Sequence, residues 1–104
     1  MKVLAVMPGN APEELEIDGT LESMQQIVGG LIQAIYPWVD PVALICNDEG
    51  KLLGLEPNRY LMNEEGEVYD IICGPFFICG LGREDFASLT PELMERYKRM
   101  FGLR

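Results

Sequence analysis

A chain of 104 residues, 48% hydrophobic and 9% aromatic, carries enough apolar material for one packed core and too little length for two. Its 17 acidic residues outnumber 8 basic ones for a net charge of −9, which excludes a broad positive surface for gripping nucleic-acid phosphates. Histidine is absent, so the usual general base and the commonest metal ligand are both missing.

Residues 2–7 form an apolar run closed by Pro8-Gly9-Asn10, which predicts a first strand and a turn. Glu14-Leu15-Glu16-Ile17-Asp18 alternates polar and apolar, the period of a half-buried strand, and is expected to pair with the first as a hairpin. Thr20 then precedes Leu21, Met24, Ile27, Val28, Leu31, Ile32 and Ile35, spaced by three and four, which predicts one helix running to Pro37. Gly29-Gly30 falls inside it and is expected to mark close packing against a sheet.

Val42 to Cys46 is a continuous apolar run, expected to be a central strand buried on both faces. Residues 47–50 read as a turn, and residues 56–62 as irregular chain or one helical turn. Segments 68–74 and 76–80 read as one bent strand or two short ones, with an edge or bulge at Gly74-Pro75 because proline cannot donate to a ladder. Thr90 and Pro91 open a last helix with Leu93, Met94, Tyr97, Met100 and Phe101 on one face. The expected architecture is one α+β domain over residues 1–104: a small, mostly antiparallel sheet with both helices packed against one face.

Cys46, Cys73 and Cys79 lie in apolar runs and are expected to be buried hydrophobes rather than disulfides or a zinc set. Gly80-Leu81-Gly82 lacks the third glycine of a dinucleotide loop, and Asp48-Glu49-Gly50 lacks the spacing of a calcium loop. No cofactor or metal is therefore expected. The polar residues that stand out are Asn47, Asp48, Asn58 and Arg59, candidates for binding a ligand or partner. Arg59 is alternatively a bridge to Asp48 or Asp70. Trp38 is either an exposed interface anchor or a side chain packed over the sheet edge.

The opening residues are too short and quickly interrupted for a signal peptide, and no run approaches the ~20 apolar residues of a membrane span. The expected location is cytoplasmic, with no membrane partner.

Segments 17–30 (Ile17-Asp18-Gly19-Thr20-Leu21-Glu22-Ser23-Met24 onward), 40–55, Pro57-Asn58-Arg59 and 70–80 (Asp70-Ile71-Ile72-Cys73-Gly74-Pro75 onward) together resemble the DUF3846 family of small proteins. The resemblance implies an origin in bacteria, phages or conjugative elements, sometimes beside antirestriction genes, and carries no activity onto particular residues. The leading expectation is a non-enzymatic accessory module that binds an unknown protein partner with a basic surface, and at this size a homodimer would supplement a modest core. A small-ligand sensor or sponge and a DNA-mimicking, antirestriction-like protein are the rival readings.

Overall fold

The computed structural model describes residues 1–102. In chain order they form β1 (Lys2–Val6), β2 (Glu13–Glu16), α1 (Leu21–Val28), β3 (Ile32–Ile35), β4 (Val42–Asn47), β5 (Pro57–Met62), β6 (Val68–Cys73), β7 (Phe76–Leu81), β8 (Phe86–Ala87) and α2 (Pro91–Phe101). The main sheet has the order β2-β1-β7-β4-β3, with β8 against the far end of β7. A second sheet holds β5 and β6 alone. All neighbouring strands run antiparallel, so the α+β, antiparallel expectation holds.

The apolar runs of β1, β4 and β7 occupy the middle of the main sheet because they alone can be buried on both faces. Their alternate side chains divide into two cores. Leu4, Val6, Leu44, Phe76 and Ile78 meet Met94, Tyr97 and Phe101 of α2, together with Leu61 and Ile72 of the β5-β6 hairpin. Val3, Ala5, Ala43, Ile45, Phe77 and Cys79 meet Met24 and Val28 of α1. The helices thus cover opposite faces, not the single face expected. The physical reason is that a sheet apolar on both sides needs a cover on both, and the hairpin completes the cover that the short α2 begins.

Helix α1 stops at Val28 instead of running to Pro37. Gly29 adopts the left-handed conformation (φ +78°) and its N–H returns to Gln25 O at 2.8 Å, closing the helix. Leu31, Ile32 and Ile35 keep their apolar spacing but serve the strand that follows. Thr20 and Thr90 cap the two helices as expected, each accepting from the N–H three residues on, Ser23 and Leu93.

Within residues 56–62, expected to be irregular chain or one helical turn, Pro57–Met62 form the strand β5, with Pro57 tolerated at its first position. Pro75 sits on no edge. Gly74 (φ +86°) and Pro75 form the crossover by which the chain leaves the small sheet and enters the centre of the large one. Among the described residues no helix is long and apolar enough to cross a membrane.

Candidate functional site: an aromatic groove beside the hairpin

The hairpin is held against the rest of the molecule by Arg59. Its Nε and Nη2 both donate to Phe101 O, at 3.1 and 3.0 Å, and Nη2 also donates to Asn10 O at 2.6 Å. Nη1 donates to Asn58 O at 3.1 Å and to Asn58 Oδ1 at 2.9 Å. Every N–H of the guanidinium is thereby engaged, and its charge sits at the carbonyl end of α2, where a cation is favoured. Burial pulls its pKa below that of a free guanidinium. Asn58 in turn donates to Val6 O at 2.8 Å and Gly74 O at 2.9 Å. Arg59 makes no bridge to Asp48 or Asp70: backbone carbonyls lie closer to it, and Asp70 is paired with Lys51. Arg59 and Asn58 are structural clamps with no donor to spare for a ligand.

The clamp leaves a groove of about 900 Å³ between the hairpin, the end of α2 and the 37–39 segment, with Trp38, Tyr60, Met62, Glu64, Tyr69 and Met100 among its walls. Trp38 is half-buried, its ring centroid 4.6 Å from that of Tyr97 and 5.9 Å from that of Phe101. One face of the indole therefore belongs to the core, while the residue still lines the groove. Around it Tyr60, Met62, Tyr69 and Met100 are 62%, 58%, 54% and 49% exposed. A cluster of this size left in water is unusual on a surface with no partner.

The segment carrying Trp38 is anchored by Asp40. The Tyr97 hydroxyl donates to Asp40 Oδ2 at 2.7 Å, and Arg96 Nη1 donates to both carboxylate oxygens at 2.8 and 2.7 Å. The Tyr97 hydroxyl first, and then Arg96, hold the Asp40 carboxyl below its ordinary range, while burial and this same bond push the Tyr97 hydroxyl up. A depressed folded-state pKa adds stability above the unfolded value, near 4, which is lost as pH falls through the folded value. Asp40→Asn is accordingly expected to flatten the acid limb of a urea-stability profile below about pH 4. An unchanged limb would show that the carboxylate is not anchored in this way.

A second, smaller cleft of about 340 Å³ lies between the 47–52 turn and β6, lined by Gln33, Cys46, Asp48, Lys51, Asp70 and Cys73 among others. Asn47 at its margin is buried, donating to Val28 O at 3.1 Å, the last turn of α1, and accepting from Glu49 N at 2.8 Å. Asn47→Leu is expected to cost about 1–3 kcal/mol in urea denaturation, because the buried Val28 carbonyl and the part-buried Glu49 N–H lose their partner. Asp48 is exposed on the turn. Burial, with Asp70 and Asp48 nearby, pushes the Cys46 thiol up to about 11, so it stays protonated at neutral pH. Cys46 and Cys79 belong to cores on opposite faces of the sheet, which prevents the three cysteines from converging on one ion. The cleft's one cation, Lys51, is taken up by Asp70. Among the described residues the cleft thus has no free cation and keeps the unpaired carboxylates of Asp48 and Glu49 on its wall, whereas the groove leaves an apolar surface unsatisfied.

A family model described as a domain of unknown function, DUF3846, matches residues 1–102. The chain belongs to the DUF3846 family. No curated protein and no solved structure matches it.

In this DUF3846 chain the five residues singled out from sequence do not form one site. Asn47 and Asp48 stand at the polar cleft, Trp38 and Arg59 at the groove, and Asn58 beneath the hairpin. Missed altogether were Tyr60, Met62, Tyr69 and Met100. Reading residues 57–62 as a strand would have found the first two, since Tyr60 and Met62 flank the buried Leu61 at the period of two. Met100 looked like core because it shares a helical stripe with Tyr97 and Phe101, and only the helix's docking angle leaves it outside.

Proposed function

We propose that the chain is a non-enzymatic protein-binding module whose groove takes a partner segment bearing an apolar anchor and flanking basic residues. The observation that carries this reading is the cluster of Tyr60, Met62, Tyr69 and Met100, exposed side by side against the immobilised Trp38. Aromatic residues and methionine are the types that dominate interface hot spots and adapt to an inserted side chain. Aromatic faces also attract arginine and lysine, and Glu64 on the groove wall together with the net charge of −9 favours the same sign of partner. Against catalysis stand the missing histidine, the protonated Cys46 thiol and the internal pairing of Asp70. Free thiols at Cys46, Cys73 and Cys79 suit a reducing compartment, and we place its action in the cytoplasm.

Trp38 is the sole tryptophan and so reports on the groove directly. Titrating its fluorescence with a short arginine–leucine peptide is expected to give a saturable change that weakens with salt, with no response to the glutamate–leucine counterpart. Tyr60→Ala combined with Tyr69→Ala is expected to weaken binding by about tenfold or more. A flat titration, or one indifferent to the double substitution, would remove the groove as the binding site.

A further inference from the structure

The two edges of the main sheet are defended very differently. At one edge, β2 reads Glu13-Glu14-Leu15-Glu16, and like charges along an outer strand discourage another strand from pairing there. At the other, β3 reads Ile32-Gln33-Ala34-Ile35, with no charge, no proline and no bulge in its pairing to β4. Exposed Leu31 and Tyr36, each 59% accessible, flank it.

Which backbone groups of β3 lie open follows from its ladder. Ile32 stands opposite Asn47 and Gln33 opposite Cys46. One residue further out, Asp48 N donates to Leu31 O at 2.8 Å. In an antiparallel pair, residues whose N–H and C=O face the neighbour alternate with residues whose groups face away. Leu31, Gln33 and Ile35 therefore bond toward β4. The N–H and C=O of Ile32 and of Ala34 point out of the sheet, with no strand beside them among the described residues.

We propose that this edge pairs with the same edge of a second copy of the chain, joining the two main sheets across a two-fold axis at Gln33. In a continuous sheet, directly opposed residues must share a face, so the axis passes through a residue and not between two. Centred on Gln33, the pairing sets Ile32 opposite Ala34 of the second copy, and Ala34 opposite its Ile32. Those are the residues whose backbone groups point outward, and each N–H then meets a C=O. The same register lays Leu31 against Ile35 of the second copy, covering a side chain now left in water, and brings the two Gln33 amides face to face.

A second copy fits better than an unrelated strand for reasons of charge and closure. Two chains of net charge −9 repel over most approaches, and this edge lets them meet where neither carries a charge. Pairing uses up both β3 edges and leaves the glutamate-lined β2 strands outermost, so growth stops at two. The contact leaves the groove's lining residues untouched, so it is independent of the peptide-binding reading.

Sedimentation equilibrium of the full chain over the micromolar range, at physiological ionic strength, tests the pairing. The expected result is a mass twice that of the chain. Gln33→Lys sets two ammonium groups opposite each other on the axis and is expected to raise the dimer dissociation constant at least ~10-fold. Ala34→Pro removes an outward N–H and is expected to do the same, with far-UV circular dichroism unchanged in both variants. Glu14→Gln at the opposite edge leaves the dimer as it was. A wild-type monomer throughout that range overturns the proposal, as does a dimer that survives both β3 substitutions.

Discussion

Arg59→Ala is expected to destabilise the protein by about 3 kcal/mol, since hydrogen bonds from a charged donor contribute roughly 1.5–3 kcal/mol each and water can rehydrate part of what is exposed. For a domain of this size that corresponds to a Tm lower by roughly 15 °C. The side chain ties three separated stretches together: Asn10 after β1, Asn58 in the hairpin, and Phe101 at the end of α2. Its removal leaves Phe101 O without the two donors that satisfied it. Lysine in its place should recover less than half of the loss, because one ammonium cannot reach all three carbonyl positions at once. Urea denaturation followed by Trp38 fluorescence measures both variants. The same loss should loosen the wall of the groove, so peptide affinity is expected to fall alongside stability in Arg59→Ala. Equal stability of the lysine variant and wild type would mean that charge alone, not the forked geometry, is what the site uses.

Gly80→Ala is expected to be more damaging still, at about 3 kcal/mol or more, for a purely steric reason. A Cβ on Gly80 would lie 2.4 Å from Ser88 O and 3.1 Å from Ser88 C. Both are backbone atoms, which cannot swing aside as a flexible side chain would, and overpacking of this kind typically costs 1–3 kcal/mol, occasionally more. Gly80 lies in β7, between β4 and β8, opposite Val42 on one side and Ala87 on the other. Relief requires β8 and the 88–89 chain to peel away, breaking the bond from Leu89 N to Lys2 O that leads into α2. Hydrogen exchange should therefore accelerate at Gly82, which donates to Asp85 O at 2.7 Å, and at Leu89 well before it does at Leu44. Uniform acceleration across the sheet would indicate global loss of stability without the local opening argued here.

Much of the fold was legible. The hairpin of β1 and β2, the doubly buried β4, and the threonine caps of both helices all follow from short-range pattern and backbone hydrogen-bonding needs. The misreadings share a cause. Leu31, Ile32 and Ile35 suit a helical stripe and a strand equally well, and the decision fell to Gly29, whose left-handed turn ends the helix before they are reached. Arg59 looked like a partner for carboxylates because sequence shows charges but not the carbonyls a folded chain brings near. The groove was hidden because its walls come from three places, the 37–39 segment, the hairpin and the end of α2.

By itself, then, the order of residues determined which segments would be buried, where helices begin, that the cover of the sheet would be α+β, and that the surface would be strongly negative. These are local or additive properties, set by side-chain polarity and spacing. Tertiary structure alone decided that the helices take opposite faces, that Asn58 and Arg59 become clamps, and that Tyr60, Met62, Tyr69 and Met100 stay in water around Trp38. Those outcomes depend on how elements far apart in the chain dock, and docking is governed by the shape of the whole core, which no single stretch of sequence contains.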